Sequence, residues 1–352
     1  MITLDLLSEE AADRRDIRQA RNIELARGAT VSVALAAVGV VCLCVSVAVG
    51  ELPIALRNVV PAIFGFGPAD AVFIVQELRL PRALTAALVG AAFGLSGAIF
   101  QALARNPLAS PDIIGITAGA STTAVFIIVV LHGAGAFLSL GALGGALATA
   151  AVVYLLAFRR GLSAYRLVLV GIGVAAFLTA ITSYLLTRAE IFDAHRATVW
   201  LVGSLNGRTW EHVSPLSWAM LVLVPATVAL ARPLRTLQLG DDTARGLGVR
   251  IEPARAGLVL VGVCLAAVAT AAAGPVAFVA FVSAPIARRL VNSPLTVIPA
   301  GLAGATLLLL SDIAARQLFA PTELPVGVVT GIIGAPYLVW LLARANRVGR
   351  GG

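Results

Sequence analysis

The chain has 352 residues, 59% of them hydrophobic and 12% charged, where a soluble domain carries roughly 25% charged residues. Its apolar runs last about 20 residues, the length a helix needs to cross ~30 Å of hydrocarbon; they do not alternate, so a transmembrane β-barrel is excluded along with a soluble domain. All 26 basic residues are arginine, so the chain holds no phosphate loop of the kind whose lysine reaches a nucleotide. The net charge of +8 is spread over short loops, which argues against nucleic acid as a partner.

Residues 1–28 form a charged amino-terminal segment in which acids and arginines mix up to Arg27. The apolar run after it is too long, and its flank too acidic, for a cleaved signal peptide, so it reads as a retained first span. The hydropathy pattern predicts an all-α polytopic membrane protein whose permease domain covers 29–345. Ten spans are expected, at 30–49, 83–103, 113–132, 136–157, 166–187, 213–231, 256–273, 276–291, 296–316 and 325–343, before a short tail at 346–352. With the amino terminus inside, 19 of the 26 arginines fall in inner segments. The positive-inside bias then puts both termini in the cytoplasm.

Between the first two spans, "ELRLPRAL" sets Arg79 and Arg82 three residues apart on the outer side. Arg316 closes the ninth span four residues after Asp312. Outer arginines run against the charge bias and need a reason: headgroup contact, a local Asp312–Arg316 pair, or a docking surface for an acidic partner. Within the second span Gly90, Gly94 and Gly97 share a helical face, which suits close helix packing or a path lined by backbone. Its inner end runs into "QALARNPLASPDIIG", where Pro107 and Pro111 break the helix and Asp112 is placed to cap the next one.

The cysteines Cys42, Cys44 and Cys264 lie in apolar runs, without a disulfide or metal-binding pattern. His132, His195 and His212 are too scattered for a metal site. No Asp, Glu or His falls near the middle of a span, where an ion-coupled carrier needs one. The inner loop 232–255 holds "LGDDTARGLGV", in which Gly240 and Asp241 offer a helix start and Gly246 and Gly248 a stop. A short capped helix there reads as a handle for a partner or as a connector.

Four segments together resemble the FecCD-type membrane subunits of ATP-binding-cassette importers for iron-siderophores, haem and cobalamin: "RLPRALTAALVGAAFGLSGAIFQALARNPLASPDIIGITAGA", "LGDDTARGLGV", "AGPVAFVAF" with "IARRL", and "ELPVGVVTGIIGAPYLVWLL". The resemblance covers nearly the whole chain after residue 30 and implies a type II ABC importer permease of the bacterial cytoplasmic membrane. It implies four kinds of partner: a second permease subunit, a different chain being favoured over a copy, an ATPase dimer that binds ATP and Mg, a periplasmic or lipoprotein substrate-binding protein, and a ferric siderophore as cargo. No cofactor is expected on this chain, and no enzymatic activity.

Residue by residue, the resemblance makes Arg79, Arg82 and Arg316 docking residues for the binding protein, in exposed, salt-screened pairs. Leu239, Gly240, Asp241, Asp242, Ala244, Arg245, Leu247 and Gly248 become the coupling helix on the ATPase. Asn106, Leu108, Ala164 and Tyr165 become the inner gate. Two features depart from the family pattern: Ala284 and Pro285 shift a proline by one position, and Ala164 and Tyr165 replace small hydroxyl residues. A cobalamin or haem importer is the alternative within the family, and an ion-coupled carrier the alternative outside it.

Overall fold

A chain that crosses a bilayer must close its backbone hydrogen bonds within each segment, and among the described residues every regular element is helical. The computed structural model describes residues 2–50, 54, 56–158, 164–293, 296–318 and 322–348. Helix α1 (Ile2–Ala48) is followed by two short helices, α2 (Leu56–Ile63) and α3 (Ala69–Phe73). A π-helical segment (Ile74–Arg79) leads directly into α4 (Leu80–Ala104). Next come a 3₁₀ turn (Pro111–Ile114), α5 (Ile116–Val129), α6 (Gly135–Ala157), α7 (Ala164–Thr187) and α8 (Ile191–Val202). The rest of the chain forms α9 (Trp210–Gln238), α10 (Asp241–Gly246), α11 (Ile251–Ala273), α12 (Val279–Val291), α13 (Val297–Gln317) and α14 (Val326–Val348).

Each of the ten expected spans falls on one helix: α1, α4, α5, α6, α7, α9, α11, α12, α13 or α14. Seven stretches are long and apolar enough to cross a membrane unaided. Helices α5 and α14 are shorter apolar helices. Helix α12 has 13 residues, or about 20 Å at 1.5 Å per residue.

The structure differs from the hydropathy reading in three places. Helix α1 runs unbroken through the expected boundary near residue 28, so the charged segment and the first span are one helix. The second span begins earlier than residue 83, because the π-helical segment carries the helix past Pro81: the Leu80 N–H reaches back to Val75 O. That wider turn relieves the clash and the missing donor that proline brings to a regular helix. The segments at 50–82 and 188–212 contain α2, α3 and α8, which are too short to register as spans.

Helix α4 is the centre of the bundle, packed against α13, α11, α12 and α9. Its glycine face serves packing. A Cβ at Gly90 would overlap the Gly304 carbonyl oxygen, one at Gly94 that of Ala300, and one at Gly97 that of Ala280. Two backbones in contact exclude a path between them, so this face does not line one. Buried Ser96 adds a hydrogen bond from its hydroxyl to Gly262 O of α11 at 2.7 Å.

Gly94→Ala should force α4 from α13 and lower stability by about 1–3 kcal/mol. Gly144 on α6 has open space around its Cβ position, so Gly144→Ala should be neutral or slightly stabilising. Thermal unfolding of the purified variants in one detergent compares the two directly.

Candidate functional site: the two ends of helix α4

At one end, α4 stops in a Schellman turn. Arg105 takes a left-handed conformation (φ 49°), and the Asn106 N–H bonds back to Gln101 O at 3.1 Å. The Asn106 side-chain oxygen then accepts the Leu108 N–H at 2.9 Å, bridging Pro107. Asn106 and Leu108 line a cavity of about 280 Å³ with Tyr165, Phe100, Val259 and Arg255. Three of the four expected gate residues thus meet at one cavity, although 57 positions separate Leu108 from Tyr165. Ala164 is the first residue of α7, and its side chain lies outside the described residues.

The next helix is not capped by Asp112 as expected. Gly115, at φ 83°, occupies the cap position of α5 and has no side chain to cap it; Asp112 reaches that first turn through the Thr117 side chain instead. Asp112 keeps part of its surface accessible. Burial of the rest pushes its carboxyl up to about 6, against an opposing hydrogen bond with Thr117.

Beside the cavity lies α10, a single turn and a half. Gly240 (φ 112°) starts it and Gly248 (φ 82°) ends it, as the glycine spacing predicts. Asp241 pairs with Arg105 at 3.2 Å and with Arg255 at 3.0 Å. Arg105 also donates to Leu237 O at 2.7 Å, at the end of α9. One carboxylate thereby fixes α10 to the last turn of α4, to α11 and to the cavity wall. Ala244 is buried, whereas Leu239 and Leu247 are 65% and 64% exposed. The helix is thus anchored by its acidic end and flanked by two exposed leucines.

The shifted proline has its compensation at this same end. Pro285 has no N–H for the Phe281 carbonyl four residues earlier. Gln101, 2% exposed, donates its side-chain amide to that carbonyl at 2.9 Å. Arg288 in turn donates to the Gln101 side-chain oxygen at 2.7 Å. The departure at Ala284–Pro285 is accommodated without an orphaned backbone group.

The three outer arginines gather at the other end of α4, but not as exposed docking pairs. Asp312 is fully buried in α13, 3.0 Å from Arg82 and 3.2 Å from Arg316. The side chains of Arg82 and Arg316 are 13% and 8% exposed. Arg316 also donates to Val49 O and Ser46 O, both at 3.0 Å, and Arg79 to Val47 O and Ala48 O, also at 3.0 Å. The carbonyls that α1 leaves open at its C-terminus are therefore closed by cations from two other helices, where the helix dipole favours them. Arg82 also has a more exposed partner, Glu323, at 2.8 Å. The local Asp312–Arg316 pair, one of the sequence alternatives, is present.

These arginines share a cavity of about 540 Å³ with Arg208, a residue that sequence reasoning passed over. The signal was available, since Arg208 is another arginine on the side where the charge bias places few. Gln101 carried no comparable signal, because its partner is set by a proline 184 positions away on another helix.

Among the described residues the chain is an all-helical bundle with several helices long and apolar enough to span a membrane, the architecture of a polytopic membrane protein. The FecCD transport family model matches residues 37–344; the chain belongs to that family of ABC importer permeases. It is 44% identical over 302 residues to the ferric enterobactin transport system permease FepG of Escherichia coli K12, covering 85% of this chain and 91% of that one. It is 42% identical to the achromobactin transport system permease CbrC of Dickeya dadantii, covering 94% and 95%. A solved metal-chelate-type ABC transporter in an inward-facing conformation superposes with a TM-score of 0.80 at 28% identity, covering 90% of this chain and 99% of that one.

Asp312→Asn should leave Arg316 buried without its counter-charge, and Arg82 with Glu323 alone, and cost about 3–5 kcal/mol, read as a lower thermal midpoint and poor recovery from detergent. Gln101→Leu should cost about 1–3 kcal/mol by orphaning the Phe281 carbonyl. In the background Pro285→Ala, which restores the missing N–H, that penalty should shrink.

Proposed function

We propose that this chain is the transmembrane subunit of an ATP-driven importer that moves a ferric siderophore from a substrate-binding protein into the cytoplasm by alternating access. The observation that carries the reading is the Asp241 junction. It ties a short helix with two exposed leucines to the end of α4 next to Asn106 and Leu108. A pull on α10 therefore acts on the wall of the gate cavity. ATP and Mg belong to a separate ATPase pair, which the α10 ends of two permease subunits would engage, and the α10 end faces the cytoplasm with both termini. The siderophore assignment follows the enterobactin and achromobactin transport systems of the two relatives, and a second, different permease subunit completes the path. Neither cavity runs the length of α4, which supports a path between subunits rather than through one.

An ion-coupled carrier would need a carboxylate free to change protonation within the bilayer. The buried Asp312 is instead held by two arginines. On this reading Asn106, Leu108, Ala164 and Tyr165 form the inner gate, and the Arg79, Arg82 and Arg316 face meets the binding protein.

Vesicles containing the permease pair and its ATPase, supplied with binding protein and labelled ferric siderophore, should accumulate label only with ATP. Accumulation driven by a proton gradient without the ATPase would refute the importer reading. In the same vesicles Asp241→Asn should lower uptake per ATP hydrolysed several-fold while hydrolysis itself continues, because the motor still turns but its link to α4 is loosened.

A further inference from the structure

The cavity at the Arg79 end presents Arg79, Arg82, Arg208 and Arg316 against Glu77 and Glu323, with Asp312 beneath. Three of these arginines have internal employment, as described above. Arg208 does not. Its Nε and Nη2 both donate to Ser204 O, at 3.3 and 3.2 Å, and among the described residues no carboxylate stands within ion-pair distance of it. Burial without a counter-charge holds its guanidinium down at about 10, the direction expected when desolvation is not repaid by an anion. The loop that carries it is pinned on two sides: Ser204 N–H to Ala273 O at 2.8 Å, and Gly327 N–H to Gly203 O at 3.2 Å. The cation is thus held in place facing the cavity.

The cavity also shows what it accepts. Glu323 comes from the non-helical stretch before α14 and places its carboxylate 2.8 Å from Arg82 Nη1, with 37% of the side chain exposed. A carboxylate from a non-helical stretch fits here, and this one is partly open to solvent.

We propose that Arg208 and Arg82 form a carboxylate site that takes an acidic side chain of the substrate-binding protein, and that Glu323 fills the Arg82 half until that partner arrives. The proposal rests on reading this end as the docking face, and it changes which residues do the docking. Arg79 and Arg316 hold α1 in place; Arg208, with a planar guanidinium suited to a carboxylate, receives the partner. Glu323 competes with the incoming acid, so docking is an exchange of one carboxylate for another.

The test is titration of the permease–ATPase complex, in nanodiscs of zwitterionic lipid, with the substrate-binding protein of the same system, at low and high salt. Arg208→Gln should weaken binding about five- to tenfold, flatten its salt dependence and leave the thermal midpoint unchanged; Arg208→Lys should recover part of the loss. Glu323→Gln should tighten binding a few-fold. If Arg208→Gln binds as the parent does while Arg82→Gln is weakened, the docking face stands and the role of Arg208 is refuted. If neither variant alters binding, the docking reading itself fails. If Arg208→Gln leaves protein binding intact and instead weakens binding of the free ferric chelate to the complex, the cavity is a chelate site and the proposal is overturned.

Discussion

Helix α4 meets α13 and α12 at backbone-to-backbone distance, and the placement of both functional ends follows from that contact. Between lipid-embedded helices there is no hydrophobic driving force, so close van der Waals packing through small residues has to supply the attraction. Gly90 and Gly94 seat the carbonyls of α13, and Gly97 that of Ala280 in α12. A helix of 25 residues is about 37 Å long, enough to hold the arginine cavity at one end and the Asn106 turn at the other. Because α4 is wedged between its neighbours, neither end can move without the other or without α13.

Such packing brings polar backbone into a medium that cannot hydrate it, and the structure meets each instance with a named side chain. At the α10 end, Gln101 and Arg288 close the carbonyl that Pro285 leaves open. At the other end, Arg79 and Arg316 close the last carbonyls of α1, and Asp312 pairs with two guanidinium groups at once. Among the described residues, the buried polar groups at the two ends of α4 are bound to one another in pairs and triads. Arg208 differs in being tied to a backbone carbonyl and, among the described residues, to no carboxylate, which is the observation behind the proposal that it receives a partner's acid.

The Asp241 junction and the Arg82–Glu323 pair are of a different kind from the buried Asp312 cluster. Asp241 is 44% and Glu323 37% exposed, and pairs of that exposure are weak and screened by salt. Weakness suits a joint that must transmit movement and a contact that must exchange. The buried cluster is expensive to break and keeps the arginine end in shape, whereas the exposed pairs can open at little cost.

The sequence by itself determined the helical class, the ten helices that carry the spans, the start and stop of α10 at Gly240 and Gly248, and the turn at Asn106–Pro107. Each of these rests on local rules: hydropathy over a span's length, left-handed glycine, and a proline that cannot continue a helix. The glycine face of α4 was legible as a face, but not what it touched. Only the tertiary structure decided that Gln101 serves Pro285, that Asn106, Leu108 and Tyr165 share a cavity, and that Asp241 lies between Arg105 and Arg255. These pairings join residues far apart along the chain, and their chemistry, an amide to a carbonyl or a guanidinium to a carboxylate, leaves no periodic trace. The outer arginines show the limit most directly: their position against the charge bias said they had a task, while burial beside Asp312 and the end of α1 decided which task each of them has.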